Sequence, residues 1–290
     1  MTGFPQVRPL SCPPPARRAG AGRRGLTLLE LVVVMAILIA IAGILVPLLP
    51  DMMSSGNQSA GATNITELEK AILTFRSTYF RAPNHFDSLM TDGGSAISDL
   101  LPGPPGGSYG GDLTAGTLTS AQRKCLSTTG ITTVYDMEND LVDRDDFHPT
   151  LSPYVDSQPY GSGRTLDTGS NVVMLQKPYG EDRLLGVRLN ENHDYIVLGI
   201  GSRCNLCGAD GIVKEAPIFH YPKAYGKSVP SNSYLRFCAV YDVGDPNDTS
   251  TAADAKFVCC IGITTGGVHT SGSLVKSYLD RQFDMAQPEE

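Results

Sequence analysis

From Leu31 to Leu49 the chain carries nineteen apolar residues in a row, LVVVMAILIAIAGILVPLL, and a single carboxylate, Glu30, stands directly before them. As a helix rising about 1.5 Å per residue, such a run nearly crosses a hydrocarbon layer of about 30 Å. Pro50 and Asp51 close it. Residues 1–25 carry five arginines (Arg8, Arg17, Arg18, Arg23, Arg24) and no acid. The positive-inside rule therefore keeps residues 1–25 on the cytoplasmic side and sends the rest outward. A secretory signal would be cut beyond its apolar region, and a plain anchor would be kept whole. Neither supplies a partner for Glu30, a charge costing about 2.5–3.5 kcal/mol inside a membrane helix. The plainer alternative is that Glu30 snorkels to the interface.

Arg-Arg-Gly25, then Leu26-Thr27-Leu28-Leu29-Glu30 and the apolar run, resembles the class III signal of type IV prepilins and type II secretion pseudopilins. The resemblance implies a cut between Gly25 and Leu26 by a prepilin peptidase, which also methylates the new amine of Leu26. Glu30 then falls at the fifth mature position, where the family places its glutamate, and is expected to act in assembly together with Thr27. Pro47 falls at the twenty-second, where many members carry a kink-forming proline. That Pro47 and Pro50 simply end the span is the alternative. Leu26 departs from the phenylalanine preferred after the cut. The freed amine of one subunit and Glu30 of a neighbour would attract strongly in low dielectric, a pairing that selects register more than it stabilises.

Beyond the membrane segment, residues 51–63 are small and polar. Asn64 and Glu67 look like a helix cap, and Ile65, Leu68, Ile72, Phe75 and Tyr79 follow at steps of three and four. Residues 26–81 read as one long helix, kinked or partly melted near 50–62: a core helix over 26–49, then linker and amphipathic helix over 50–81. The stretch ELEKAILTFRSTYFRAPNHFDSLM also resembles the major pseudopilin of type II secretion. Residues 82–290 form the globular part, loop-rich over 91–170. VVML at 172–175 reads as a strand. RLLGVRL (183–189) and HDYIVLGI (193–200) flank a turn at 190–192, and SYLRFCAVYDV (233–243) and KFVCCIGI (256–263) form a second hairpin with a longer loop. The expected fold class is α+β and pilin-like: a long helix, half membrane-embedded and half amphipathic, laid on an antiparallel sheet.

Cys12 would leave with the leader. Six cysteines remain, an even number, in an outward compartment that favours disulfides. Strand alternation puts Cys238 and Cys260 on one face of the last hairpin, symmetric about Thr249, which suggests a cross-strand bond. Cys259 would point into the core and reach Cys125. Cys204-Asn-Leu-Cys207 is open to a local disulfide, a zinc site or a redox centre. Zinc lacks a second ligand pair, and a thioredoxin-like centre wants a βαβ setting.

With residues 1–25 set aside, 18 basic residues stand against 30 acidic ones, a net −12, which argues against nucleic-acid binding. His85, His148, His193, His220 and His269 are scattered, without ligand spacing. Asp143 to Asp146 and Asp245 to Asp248 could hold calcium, as related pseudopilins do, but no ligand set is assignable and no other cofactor is expected. No catalytic motif stands out, so a non-enzymatic filament subunit is expected, in a pilus or a secretion pseudopilus. It would sit as a single-pass inner-membrane protein with its body in the periplasm, and on assembly become part of a periplasmic or extracellular filament. Its implied partners are the peptidase/methyltransferase, other pilin or pseudopilin subunits and an inner-membrane assembly platform. The alternative is a periplasmic binding or enzymatic domain carried on a prepilin-type anchor.

Overall fold

The computed structural model describes residues 28–97, 101, 112–137, 160–179, 184, 186–219, 236–247, 254–264, 267–276 and 279. For residues 44–55, 92, 160–162 and 264 only the backbone is described. The chain divides into two compact units, Met1–Leu49 and Pro50–Glu290. Helix α1 (Leu28–Tyr79) contributes to both. It is helical throughout 50–62, so the expected melting of that stretch is not found.

In the second unit, Ile65, Leu68, Ile72 and Phe75 of α1 are buried, as their three-and-four spacing requires. Tyr79, the last residue of that series, is 45 % exposed. The strands are β1 (Phe86–Thr91), β2 (Leu113–Thr117), β3 (Thr133–Met137), β4 (Tyr160–Thr165), β5 (Asn171–Leu175), β6 (Tyr195–Gly199), β7 (Phe237–Asp242), β8 (Lys256–Thr264) and β9 (Gly267–His269). They form one nine-stranded sheet in the order β4-β3-β1-β6-β7-β8-β9, with β2 and β5 branching from β6. The branch arises because β6 is shared along its length: Ile196 faces Met174 of β5, and Gly199 faces Asp87 of β1.

This sheet corrects the expected fold class. The pilin-like arrangement of a helix on an antiparallel sheet is not what the chain shows, because the sheet is large and mixed. β1 and β3 run parallel. A parallel pair needs a crossover rather than a tight turn, and the connection here holds β2 and a second helix, α2 (Ser120–Thr129). Helix α2 starts in a capping box, where the Thr119 side chain accepts from the Gln122 backbone and the Gln122 side chain accepts from the Thr119 backbone. It stops at Gly130, whose φ of 103° suits glycine, and whose N–H reaches the carbonyls of Leu126 and Ser127.

The sheet is also buried on both faces, where one was expected. One core gathers Ile65, Leu68, Ile72 and Phe75 with Leu198, Phe237, Ala239 and Tyr241. The other gathers Leu89, Val197, Cys238, Val240 and Ile261 under Leu101 and Leu184. Central strand β6 is consequently buried at every position, as a strand covered on both sides must be. The expected hairpin over 183–200 is replaced: the described residues among 184–194 form turns, and β6 pairs with β1, β5 and β7. The expected hairpin near the end does form, as β7 and β8.

Candidate functional site

Gly25, Leu26 and Thr27 lie outside the described residues. Helix α1 places Glu30 in its first turn, where the positive end of the helix dipole favours a carboxylate. Every residue from Leu28 to Gly43 is exposed, Leu28 by 81 %. Val32, Val33, Val34 and Met35 are consecutive, and four residues exceed one helical turn, so apolar side chains point in every direction. A helix apolar all round normally lies within a core or within lipid. Among the described residues no helix is long and apolar enough to cross a membrane. The last part of the run, with Pro47, is described only as helical backbone.

None of the six cysteines Cys125, Cys204, Cys207, Cys238, Cys259 and Cys260 is disulfide-bonded, and all are buried. The β7–β8 register separates the expected pair: Cys238 faces Ile261, and Cys260 faces Ala239. The cause is a bulge. Near the loop Tyr241 faces Phe257, but one residue further along β7 Val240 faces Cys259, so Val258 is unpaired. One extra residue turns the following side chains over. Cys259 therefore joins Cys238 in the second core, and the sheet separates it from Cys125, its expected partner. Cys260 lies in the same core as Cys125.

Cys204 and Cys207 sit in a turn closed by the Cys207 N–H on the Cys204 carbonyl at 2.9 Å. The turn is clamped to the α1–β1 connection. The Asn84 N–H donates to Asn205 Oδ1 at 2.7 Å, and the Asn205 N–H donates back to the Asn84 carbonyl at 3.2 Å. Burial pushes the Cys204 thiol well above its ordinary range, with Cys207 beside it adding to the rise. Burial likewise pushes Cys207 up to about 11, against the pull of Arg236. The thiolate is the nucleophile and the metal ligand, so these groups are inert near neutral pH while the fold is closed.

Three of the scattered histidines hold structural posts. His193 Nδ1 lies 2.9 Å from both carboxylate oxygens of Asp242, tying the turn before β6 to β7. His85 packs edge-on to Tyr135, and His269 Nδ1 stands 3.4 Å from Ser273 Oγ. His148, His220, Asp143, Arg144, Asp145, Asp146 and Asp248 lie outside the described residues. Asp245 Oδ1 accepts from the backbone and side chain of Asn247, a local turn. Among the described residues no three metal-ligating side chains cluster.

Two polar arrangements had no signal in the sequence. Asp136 is 1 % exposed and takes a forked contact from Arg164, with Nε at 2.9 Å from Oδ2 and Nη2 at 2.9 Å from Oδ1. The Ser88 hydroxyl donates to the same carboxylate at 2.6 Å. In the other, Glu69 of α1 reaches the backbone of β8 at Cys260. Both partnerships join residues far apart in sequence and follow no periodicity. No protein-family model, curated protein or solved structure matches this chain.

Proposed function

We propose that this chain is a leader-processed, membrane-tethered subunit that assembles through its N-terminal helix into a filament of the type IV pilus or type II secretion kind. One observation carries the reading: an apolar helix exposed on all sides over 28–43, with a carboxylate in its first turn and Arg-Arg-Gly25 just before it in sequence. Such a surface is stable only among lipid tails or among like helices. A cut after Gly25 places a cationic amine four residues from Glu30, and a neighbour's Glu30 neutralises it. In low dielectric the two opposite charges attract strongly. Moving from membrane to filament then exchanges lipid contacts for helix contacts around the same apolar face. The subunit's partners in this reading are the processing peptidase, an inner-membrane assembly platform and further copies of itself or similar subunits.

The test is the mass of the mature N-terminus in membranes of a cell that has a prepilin peptidase. The expected species begins at Leu26 with a methylated amine. A mature protein that keeps Arg23 and Arg24 overturns the proposal, since no free amine would exist beside Glu30.

A further inference from the structure

Cys204 and Cys207 lie three positions apart in one reverse turn, closed by the Cys207 N–H on the Cys204 carbonyl. A turn of this kind keeps its first and last Cα atoms within about 7 Å, and a disulfide spans Cα atoms about 4.4–6.8 Å apart. Both side chains enter the core that also holds Ile65 and Phe75, and they are 1 % and 8 % exposed. A local backbone bond thus brings the two thiols to one place. The other four cysteines are arranged differently. Cys125 is on α2 and Cys238 on β7, while Cys259 and Cys260, adjacent on β8, face opposite cores.

The turn holds more than itself. Between the cysteines stand Leu206, which is fully buried, and Asn205, which exchanges two hydrogen bonds with Asn84. Asn84 Oδ1 in turn accepts the N–H groups of Thr132 and Thr133 at 3.0 and 3.1 Å, and its Nδ2 donates to the Thr132 hydroxyl at 3.0 Å. The α1–β1 connection is therefore fastened both to the turn and to the start of β3. That connection carries two left-handed residues that are not glycine, Phe80 at φ 54° and His85 at φ 63°. A bulky side chain rarely holds such an angle, and it persists only where its surroundings over-determine it. Yet residues 201–213 contain no helix or strand. Their ties are single bonds, such as the Gly208 N–H on the Val213 carbonyl at 2.9 Å and the Val213 N–H on the Leu206 carbonyl at 3.0 Å. A covalent link across 204–207 would hold the clamp where secondary structure does not.

We propose that Cys204 and Cys207 form a disulfide while the body folds outside the cytoplasm, a covalent clasp that fixes how the end of α1 joins β1. The dithiol seen in the structure is its reduced form. The proposal rests on the leader reading above, which places the body in a compartment where disulfides persist. The oxidant is a disulfide, carried by a protein or a small molecule. The thiolate of one cysteine attacks an oxidant sulfur, forming a mixed disulfide and releasing the first oxidant thiol. The thiolate of the other then attacks the sulfur of its neighbour, and the second oxidant thiol leaves. Two thiols lose two electrons, the oxidant disulfide gains them, and the two protons end on the released thiols. Closure belongs to folding because the finished fold covers both sulfurs. Burial, with the Asp87 carboxylate adding to it, disfavours both thiolates there. The same thiolates are poor leaving groups in reduction, so the fold preserves the state in which it formed.

The experiment takes the full chain from membranes of a cell that has a prepilin peptidase, precipitates it in acid, alkylates it with N-ethylmaleimide in denaturant and digests it with trypsin without reduction. Cleavage after Arg203 and Lys214 gives a peptide that holds Cys204 and Cys207 and no other cysteine. Mass spectrometry should find it unlabelled and two hydrogens lighter than the dithiol, with Cys125, Cys238, Cys259 and Cys260 labelled. Refolding the purified chain from urea, in detergent with glutathione and glutathione disulfide, should give the same peptide. Its Tm should lie about 4–7 °C above that of protein refolded under reductant, the shift expected for closing a four-residue loop. Cys204→Ser should remove the difference. A labelled 204–214 peptide in cells whose subunit begins at Leu26 overturns the proposal. So does a bond from either cysteine to a third, failure to close in the glutathione buffer, or closure without the rise in Tm. If the leader is retained and the pair is labelled in cells yet closes in the buffer, the assembly reading fails while the clasp stands.

Discussion

Glu69 Oε1 accepts the backbone N–H of Cys260 at 3.0 Å, fastening α1 to β8 just beyond its bulge. The bulge leaves this part of the ladder irregular, and a side chain from the helix supplies an acceptor. Burial raises the Glu69 carboxyl above its ordinary value, with the Cys260 N–H pulling the other way. The charged form is therefore the costly one in the folded state. The stability linked to this group is complete below its unfolded value of 4.5 and is lost as pH rises through the higher folded value. Glu69→Gln keeps the acceptor and removes the charge. The variant should melt above the parent at pH 7, and the two should converge at about pH 4. A constant difference across a Tm series from pH 4 to 7 would show that the charge is not responsible.

Asp136 is buried with Arg164 as its cationic partner. Arg164→Ala leaves an uncompensated charge inside the sheet edge, and should cost about 3–5 kcal/mol in urea unfolding. Asp136→Asn combined with Arg164→Met should recover most of that loss. A loss of similar size in the double variant would assign the effect to packing.

The β7–β8 register makes a definite statement about thiols. A non-reducing digest should contain no Cys238–Cys260 peptide, since the two side chains lie in different cores. In protein folded under reductant, all six thiols should resist iodoacetamide in the native state and react on unfolding, because burial pushes even Cys259, near the bulge, up to about 12. Fast labelling of any of them in the folded protein would contradict this.

Glu30→Ala should be processed at the parent's rate yet fail to enter filaments, with at least a tenfold drop in sheared or sedimented polymer. Quantitative immunoblotting of membrane and polymer fractions gives both readings. Normal polymer yield from the variant would remove the proposed charge pairing.

How far the sequence led depended on whether a signal was local and apolar. The buried face of α1 was written as Ile65, Leu68, Ile72 and Phe75, and the last hairpin as two apolar strands around a polar loop. Helix α2 escaped notice because its buried face is Gln122, Cys125, Leu126 and Thr129: the spacing is helical, but two of the four are polar. Its capping pair, Thr119 and Gln122, was legible and would have marked its start. The parallel β1–β3 pair escaped because pairing partners 48 positions apart leave no periodic trace. The second core was hidden for another reason. Strand β7 alternates, but its other side carries Cys238 and Val240 between Arg236 and Asp242, and those flanking charges interrupt the apolar pattern of that side. Residues 25–30 stood out by resemblance to a processed leader, and of them Gly25, Leu26 and Thr27 lie outside the described residues, whereas the left-handed angle of Phe80 follows from no residue pattern.

The unpaired Val258 also sets where this chain tolerates a change of length. Tyr241 faces Phe257 on one side of it and Val240 faces Cys259 on the other, so removing Val258 would join two stretches already in compatible phase. Both flanks would keep their sides of the sheet, and the variant should still fold. Removing Cys260 instead would invert everything from Ile261 to the strand's end. Homologues shorter by one residue should therefore carry their gap at this position.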